Sequence, residues 1–529
     1  MQTRATKFAA RGAINGAARA GGGGALAKES GADASKFIDA PERDAGPPNL
    51  PVPDFNTEAY DHIADNPFLR VDQNPLSTFS IDVDTGSYAN VRRFLTNGQL
   101  PPKDAVRIEE LLNYFPYDYP QPAGDDPFSV NVEVAPAPWN PEHKIARIGL
   151  KGRELAAHDR PACNLVFLLD VSGSMDEPAK LPLVKELMKM LVPKLNERDR
   201  VAIVVYAGAS GLVLPSTEAT KRNEILRAID ELRPGGSTNG AAGIQLAYDI
   251  AKANFIKGGV NRVILATDGD FNVGTTNQGA LVRLVEEKAK SGVFLTVLGF
   301  GMGNLKDAML EKLADKGNGI YGYIDTKKEA EKTFVEQIGG TLVTIAKDVK
   351  IQIEFNPAQV GAFRLIGYEN RILRHEDFND DKKDAGEIGA GHTVTALYEL
   401  VPAGTDTRLP GVDALKYQKP SAPVAERESA SSELMTVKLR YKQPDGDTSK
   451  LLQQAVADIA KDATPSKDLQ FAAAVAEFGM VLRESPHKGN ATFETALSLC
   501  EHGLGADPHG YRREFMDLVR KAKSLMDNQ

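Results

Sequence analysis

The sequence predicts an α/β fold in which a doubly wound, mainly parallel sheet is inserted in a β-sandwich, with a C-terminal helical region after it. Three observations carry this prediction. From residue 164 to about residue 338, apolar strands alternate with helical segments, which is typical of a parallel sheet covered on both faces. On either side of that region, segments alternate apolar and polar residues, as the strands of an antiparallel sandwich do. After about residue 450, apolar residues recur with helical spacing.

The predicted domain boundaries follow from these changes in pattern. Residues 1–65 are rich in Ala, Gly and Pro and poor in large apolar side chains, so we predict a disordered linker there. The other predicted segments, in chain order, are an N-terminal region at 66–122, the first sandwich strands at 123–160, the α/β domain at 161–340, the second part of the sandwich at 341–449 and the helical region at 450–529.

The most informative stretch of the chain is Asn164-Leu-Val-Phe-Leu-Leu-Asp-Val-Ser-Gly-Ser-Met175. The apolar run Leu165–Leu169 predicts a strand buried on both faces, and the chain must turn where that strand ends. Asp170, Ser172 and Ser174 alternate, so in an extended turn all three side chains can point the same way. Their oxygen atoms are ligands suited to Mg²⁺ or a similar divalent ion.

Two later segments carry the same kind of chemistry. In the first, a glycine-rich loop at residues 235–240 leads into a helix, and Thr238 lies at the junction. In the second, the apolar strand that starts at Arg262 ends in Asp268, which is followed by Gly269. Because ligands of open α/β sheets bind at the carboxyl ends of the strands, we expect these segments to complete one site with the turn after residue 169.

Taken together, the three segments resemble the metal-ion-dependent adhesion site of von Willebrand factor type A domains, whose sheet is Rossmann-like. The family pattern is D-x-S-x-S, then a Thr, then an Asp, and this chain matches all five positions. The resemblance implies that Ser172 and Ser174 bind the metal directly, and that Thr238 binds it directly or through water. It also implies that Asp170 and Asp268 act mostly through bridging waters. Mg²⁺ is the expected metal, with Mn²⁺ and Ca²⁺ as alternatives.

Such a site is expected to bind a partner rather than to catalyse a reaction. Neutral hydroxyls compensate a dication poorly, so a Glu or Asp carboxylate from a partner protein is the natural further ligand. Metal-assisted hydrolysis would need a placed base, and the eight His residues are scattered without an H-E-x-x-H spacing. We expect His143, His158 and His375 to be surface or hydrogen-bonded structural residues. A metal-dependent hydrolase is therefore a remote alternative.

The segment Ser80–Tyr88 contains Asp84-Thr85-Gly86-Ser87, which looks like an aspartic-protease loop and like the start of a D-x-D-x-T phosphatase loop. The protease needs two such carboxylates, and the sequence has no second copy. The phosphatase loop needs Thr or Val where Gly86 stands. We expect instead a strand end and a helix cap, with Asp84 or Ser87 capping a helix that starts at Tyr88. A second ligand site at Asp84 is the alternative.

Composition excludes several other classes of function. The net charge is −9 and there is no basic stripe, so no nucleic-acid partner is expected. No apolar run approaches the ~18 residues that a membrane-spanning helix needs. The two cysteines, Cys163 and Cys500, lie in apolar contexts and are expected to be buried free thiols. The oligomeric state is left open by the sequence.

Two longer segments extend the resemblance beyond the metal site. Residues 78–94 and 384–398 resemble the N-terminal and C-terminal regions of a bacterial family of von Willebrand factor type A proteins, so the likeness runs from about residue 66 to the end. Many members resemble lipoproteins or secreted proteins, which implies the cell envelope or periplasm. The start Met1–Lys7 has no apolar signal segment, so a membrane anchor would lie upstream of Met1. The alternative is a cytoplasmic adaptor that presents clients to an AAA+ chaperone.

Overall fold

The predicted fold class is confirmed by the computed structural model, in which a mainly parallel sheet is inserted between two parts of an antiparallel sandwich. The structure describes residues 60–528, apart from residues 82–83, 157, 208–209, 237–239, 270–277, 302–305, 334–342, 384, 406–431, 445 and 459–463. Of the linker predicted at residues 1–65, residues 1–59 lie outside the described residues.

Between residue 60 and the central sheet, the described residues form four strands and two α-helices. These are β1 (Leu69–Arg70), β2 (Leu76–Ser80), α1 (Gly86–Thr96), α2 (Ile108–Asn113), β3 (Phe128–Ala137) and β4 (Asn140–Gly152). β3 and β4 are the strands predicted for the first part of the sandwich, and they pair antiparallel along most of their length.

The central sheet has six strands, with helices between them. Its elements are β5 (Cys163–Asp170), α3 (Leu181–Leu191), β6 (Arg200–Tyr206), β7 (Ser210–Glu218), α4 (Arg222–Glu231), α5 (Gly240–Ala253), β8 (Val260–Thr267), α6 (Gln278–Ala289), β9 (Phe294–Phe300), α7 (Asp307–Lys316), β10 (Tyr321–Ile324) and α8 (Lys327–Glu331). The strand order is β10-β9-β8-β5-β6-β7, with parallel pairing except at the edge strand β7.

Both faces of this sheet are covered by helices, as its apolar strands predict. Alternate side chains of a strand point to opposite faces. Leu165, Phe167 and Leu169 of β5 share a core with α3 and α4, whereas Val166 and Leu168 share a core with α5, α6 and α7. Because both faces are covered, the middle of β5 is apolar throughout, and its polar side chains lie at the two ends, Asn164 near the start and Asp170 at the finish.

After the central sheet the chain returns to the sandwich and then forms three helices. The elements are β11 (Thr344–Phe355), β12 (Val360–Ile366), β13 (Ile388–Gly389), β14 (Thr393–Pro402), β15 (Glu433–Lys442), β16 (Ser449–Ala457), α9 (Lys467–Leu482), α10 (Phe493–Gly503) and α11 (Tyr511–Asp527). The helical region predicted from residue 450 starts too early, because β16 pairs antiparallel with β15.

The sandwich consists of two antiparallel sheets from distant parts of the chain. One has the order β1-β12-β14-β4-β3, and the other has the order β13-β11-β15-β16, with β2 also paired to β11. β14 follows the inserted domain in the chain and pairs with β4, which precedes it, so the two parts of the sandwich are joined there. The pairing runs from Thr393 opposite Lys151 to Leu400 opposite Lys144. Apolar side chains of both sheets, including Phe79, Phe355 and Tyr398, form their shared core.

The N-terminal region at 66–122 is not a separate domain, because its strands belong to the sandwich and its helices pack with the C-terminal helices. Its strands β1 and β2 extend the two sandwich sheets. Its helices α1 and α2 share one apolar core with α9, α10 and α11. With only six residues, α2 cannot enclose a core of its own, so it contributes to this larger layer.

Two further expectations concern the whole described chain. The predicted buried free thiols are confirmed, since Cys163 and Cys500 are both buried and unbridged. Across the described residues, no helix has both the length and the apolar content that crossing a bilayer requires.

Candidate metal centre

The candidate site lies where two neighbouring parallel strands of the central sheet end. β5 ends at Asp170, and Asp268 directly follows the end of β8. The two strands pair in parallel with Leu169 opposite Ala266, so their carboxyl ends reach the same edge of the sheet. A hydrogen bond of 3.3 Å from Thr267 Oγ1 to Asp170 Oδ2 links the two strand ends directly. The structure therefore brings together the two carboxylates that the sequence placed in one site.

The turn after β5 is shaped by its own side chains. The Ser172 backbone N–H donates to Asp170 Oδ1 at 2.9 Å, so the carboxylate holds the start of the turn. The Oγ atoms of Ser172 and Ser174 lie 3.0 Å apart. Asp170 and Asp268 are fully buried, whereas Ser174 is exposed. The arrangement therefore has carboxylates in its interior and a hydroxyl at its solvent-exposed side.

The glycine-rich loop reaches the same turn, although Thr238 itself lies outside the described residues. The Gly235 N–H donates to the Val171 carbonyl at 2.7 Å, and the Gly173 N–H donates to the Gly236 carbonyl at 3.2 Å. These two backbone hydrogen bonds hold the start of the loop against the serine turn. The neighbouring position of Thr238 in the sequence agrees with the expectation that the loop belongs to this site.

The pKa of Asp170 is strongly affected by its surroundings. Burial raises the pKa of Asp170 to about 6; hydrogen bonds from Ser172 oppose the rise, and the nearby charge of Asp268 adds to it. A cation at this position would favour the ionised form, because an opposite charge stabilises a buried carboxylate.

Sequence reasoning missed one charged side chain at the site. Lys180, the residue before α3, is buried, and its Nζ lies 3.3 Å from Asp268 Oδ2. The ammonium also donates to the Ser174 carbonyl at 3.0 Å. No pattern in the sequence indicates this contact, since a lysine ten residues beyond Asp170 and next to a helix is typical of a solvent-facing charge.

The residues present fit a small divalent cation. Mg²⁺ demands octahedral oxygen coordination at 2.0–2.1 Å, which places adjacent ligands about 3 Å apart. The 3.0 Å separation of the Ser172 and Ser174 hydroxyls matches that spacing. In the described part of the chain, the candidate site included, no group of three or more His, Cys, Asp or Glu side chains is placed to hold a metal ion, so a metal here would depend on the hydroxyl ligands. The hydroxyl-containing turn is therefore the candidate metal centre.

The Asp84 loop has a structural role, and the predicted helix cap is wrong. Helix α1 starts at Gly86 behind Thr85, whose side chain makes no capping hydrogen bond. Asp84 is buried; its Oδ1 accepts from the Tyr321 backbone N–H at 2.8 Å, and its Oδ2 accepts from Arg371 Nη2 at 3.1 Å. The carboxylate thus ties the N-terminal region to the central sheet and to the sandwich.

Ser87 and the three histidines have other partners. Ser87 lies inside α1, where its hydroxyl donates to the Ala105 carbonyl at 2.6 Å, so it is not a cap either. His143 Nδ1 lies 2.6 Å from Glu399 Oε1, and His375 Nδ1 lies 3.1 Å from Thr78 Oγ1. His158 is a surface residue. The hydrogen bonds described for the candidate site involve none of these histidines.

Comparisons with known proteins show which families parts of the chain match. Residues 164–337 match the family described as von Willebrand factor type A domain, and residues 54–147 match one described as von Willebrand factor. Residues 340–525 match the family described as the C-terminal part of the uncharacterized protein YfbK.

Individual relatives were found both among curated proteins and among solved structures. The chain is 46% identical over 478 residues to the uncharacterized protein YfbK of Escherichia coli K12, covering 89% of this chain and 82% of that protein. It is 27% identical over 194 residues to human inter-alpha-trypsin inhibitor heavy chain H2, covering 34% of this chain and 20% of that one.

Among solved structures, the von Willebrand factor type A protein from Catenulispora acidiphila is similar with a TM-score of 0.40 and 13% identity, covering 87% of this chain and 91% of that one. The extent and identity of the match to the E. coli protein decide the assignment. The chain belongs to the YfbK family, and it combines a von Willebrand factor type A domain with the C-terminal region of that family.

Proposed function

We propose that this protein is a divalent-metal-dependent binding module, an adhesion or scaffold component that captures an acidic side chain of a partner protein at the bacterial cell envelope. Von Willebrand factor type A domains generally mediate protein–protein interaction. The observation that carries the finer proposal is the convergence of Asp170, Ser172, Ser174 and Asp268 at one sheet edge, with the two hydroxyls 3.0 Å apart.

In this proposal each residue has a defined task toward Mg²⁺, with Mn²⁺ and Ca²⁺ as alternative ions. Ser172 and Ser174 would hold the ion through their hydroxyls, and Thr238 would add a third hydroxyl. Asp170 and Asp268 would neutralise it while fixing the turn and the bridging waters. The ion would supply an open coordination position to a carboxylate. Ser174 supports this assignment, since its exposed position lies on the side from which a partner would approach.

We propose binding rather than catalysis because no histidine is among the described hydrogen-bond partners of the two carboxylates. The described hydrogen bonds around the two carboxylates involve serine, threonine, lysine, tyrosine and backbone groups. Activation of a metal-bound water would need a base within hydrogen-bonding reach of that water. A metal-dependent hydrolase remains the remote alternative, and a substrate screen without metal-dependent turnover would remove it.

The proposed location at the envelope rests on the resemblance of residues 78–94 and 384–398 to an envelope-associated family. Cell fractionation tests it directly. We expect the native protein in the envelope fraction, and recovery from the cytosol alone would contradict this part of the proposal.

The binding function is tested by comparing partner capture with and without divalent metal. The full chain and the variant Asp170→Ala are immobilised and exposed to an envelope extract in Mg²⁺ and in EDTA. We expect a partner that is retained by the parent only in Mg²⁺ and is lost by the variant, because Asp170 holds the serine turn. Circular dichroism verifies that the variant is folded. If a folded Asp170→Ala variant kept every partner of the parent protein, the proposal would be abandoned.

A further inference from the structure

A buried lysine lies inside the candidate metal centre, and its position gives the site a fixed positive charge. We propose that Lys180 is a resident counter-ion of this site, which lowers its affinity for a bare dication and favours capture of a carboxylate once the dication is bound. The inference rests on the proposed function, because it concerns the control of the same site.

The contacts of the Lys180 ammonium use its full hydrogen-bonding capacity. Nζ lies 3.3 Å from Asp268 Oδ2, 3.0 Å from the Ser174 carbonyl oxygen and 3.0 Å from Glu177 Oε1. An ammonium group has three N–H donors, so each of them has a partner. The side chain of Lys180 is 3% exposed and that of Asp268 is 0% exposed. Their attraction is therefore little screened by water.

The absence of a side chain at Gly301 provides the space that the Lys180 side chain occupies. A Cβ atom at Gly301 would lie 2.2 Å from Cε of Lys180 and 3.0 Å from its Cδ, so any other residue would displace the stem. Gly301 also has a φ of +80°, which favours glycine. The Gly301 carbonyl accepts a hydrogen bond of 2.6 Å from the Tyr323 hydroxyl, which holds the Gly301 backbone in position. The Lys180 side chain is therefore a buried part of the site and not a surface residue beside it.

Charge balance explains what the lysine does. Among the buried charged groups that the structure describes at the site, Asp170 and Asp268 when ionised carry two negative charges, and Lys180 reduces the total to one. A bound dication then makes the site positive by one charge, and one carboxylate from a partner restores neutrality. Without the lysine, the dication alone would neutralise the site and the carboxylate would add an uncompensated charge. Because buried excess charge is costly, Lys180 weakens metal binding alone and strengthens carboxylate binding to the loaded site. The carboxylate of Glu177 is 58% exposed and is therefore largely screened.

A merely structural role for Lys180 predicts the opposite result. If the lysine served only to fasten the serine turn to Asp268, its loss would loosen the ligands and weaken metal binding. If its charge dominates, removal of that charge tightens metal binding. The direction of the change in affinity therefore separates the two roles.

The test is a calorimetric titration of Mg²⁺ into the full chain and into two neutral variants. Lys180→Met keeps the apolar stem, and Lys180→Gln keeps hydrogen-bond donors near Asp268. We expect both to bind Mg²⁺ roughly tenfold more tightly, a modest effect for removing a unit charge a few ångströms from the site. The control is Lys189→Met on the same helix, whose ammonium pairs with Asp230 at the surface. This control should leave the affinity unchanged.

A second readout uses acetate as a small carboxylate. In saturating Mg²⁺, acetate should raise the unfolding midpoint of the parent protein more than that of either neutral variant. Equal shifts would contradict the carboxylate half of the inference.

The remaining outcomes distinguish this inference from the proposed function. If the parent binds Mg²⁺, Asp170→Ala does not, and both folded neutral variants bind no more tightly than the parent, the function stands and the role of Lys180 is refuted. If neither the parent nor the neutral variants bind Mg²⁺, both proposals fall together. If only the neutral variants bind, the effect of the Lys180 charge on the metal is supported, whereas metal binding by the parent protein, and with it the proposed function, is contradicted.

Discussion

A carboxylate in the helical layer should make the stability of this protein depend on pH in a specific way. Glu477 lies in α9 and is fully buried. Its Oε2 accepts a hydrogen bond of 2.7 Å from the Thr495 hydroxyl. Its Oε1 has no hydrogen-bond partner among the residues that the structure describes. Burial raises the pKa of this carboxyl to about 7 from an ordinary 4.5.

The sign of the effect follows from the direction of that change. Between about pH 4.5 and 7 the folded protein keeps the Glu477 proton while the unfolded chain releases it. The stability that this group contributes is therefore fully present below pH 4.5 and is lost as the pH rises through 7. The difference between the two pKa values corresponds to about 3 kcal/mol of unfolding free energy.

The substitution Glu477→Gln tests this reasoning, because glutamine resembles the protonated carboxyl at every pH. Urea unfolding of parent and variant is measured from about pH 5 to 8.5. We expect nearly equal stability at pH 5 and a variant that is more stable by roughly 3 kcal/mol at pH 8. Glu494→Gln is the control, since a hydrogen bond from Lys523 holds the pKa of Glu494 low and no gain at high pH is expected. A stability difference for Glu477→Gln that did not change with pH would refute the argument.

Two further substitutions test the packing around the central sheet, each by urea unfolding. Gly319→Ala would place its Cβ 1.7 Å from the Leu295 carbonyl oxygen and should lower the free energy of unfolding by about 2 kcal/mol or more. In the control Gly322→Ala, the Cβ meets its nearest atom at an ordinary 3.5 Å, so the free energy of unfolding should change little. Equal effects of the two substitutions would contradict the geometry. Arg92→Met removes a buried guanidinium that joins three elements and should cost about 3–5 kcal/mol, because buried carboxylates lose their partner. The surface substitution Arg520→Met should cost less than about 1 kcal/mol, and a similar loss in both arginine variants would count against the argument. The carboxylates around Arg92 are Asp325, Glu329 and Glu514.

The parts of the fold that could be predicted from the sequence are those whose pattern is local. The apolar run of β5 is buried at every position, and that burial is the physical reason for its composition. Asp170 and Asp268 could be placed in one site because each follows such a strand, and parallel strands end at a common edge.

Elements at the margins of the sandwich were harder to predict. β16 is an edge strand with mostly exposed or half-exposed residues, so burial imposes no clear alternation on its sequence. Its sequence therefore does not predict a strand, and it falls within the predicted helical region. The partner of β2 is β11, which lies more than 250 residues away, and no local signal indicates such a pairing.

The errors around Asp84 and Lys180 have one physical cause. Asp84 was expected to act on the adjacent helix, but its partners Tyr321 and Arg371 are 237 and 287 residues away in sequence. Lys180 is buried because Asp268 and Gly301 come to it from neighbouring strand ends. Polar residues that join distant segments cannot be distinguished from surface residues until the segments have been placed in space.

The central claim is that the hydroxyls and carboxylates after β5 and β8 bind a divalent cation. The most direct measurement is a thermal-unfolding series of the full chain and of Asp170→Ala in Mg²⁺, Mn²⁺, Ca²⁺ and EDTA. Since a ligand that binds only the folded state stabilises it, the unfolding midpoint of the parent should rise with metal concentration, and that of the folded variant should not. Midpoints that are independent of metal in both proteins, together with calorimetry that detects no binding, would contradict the claim.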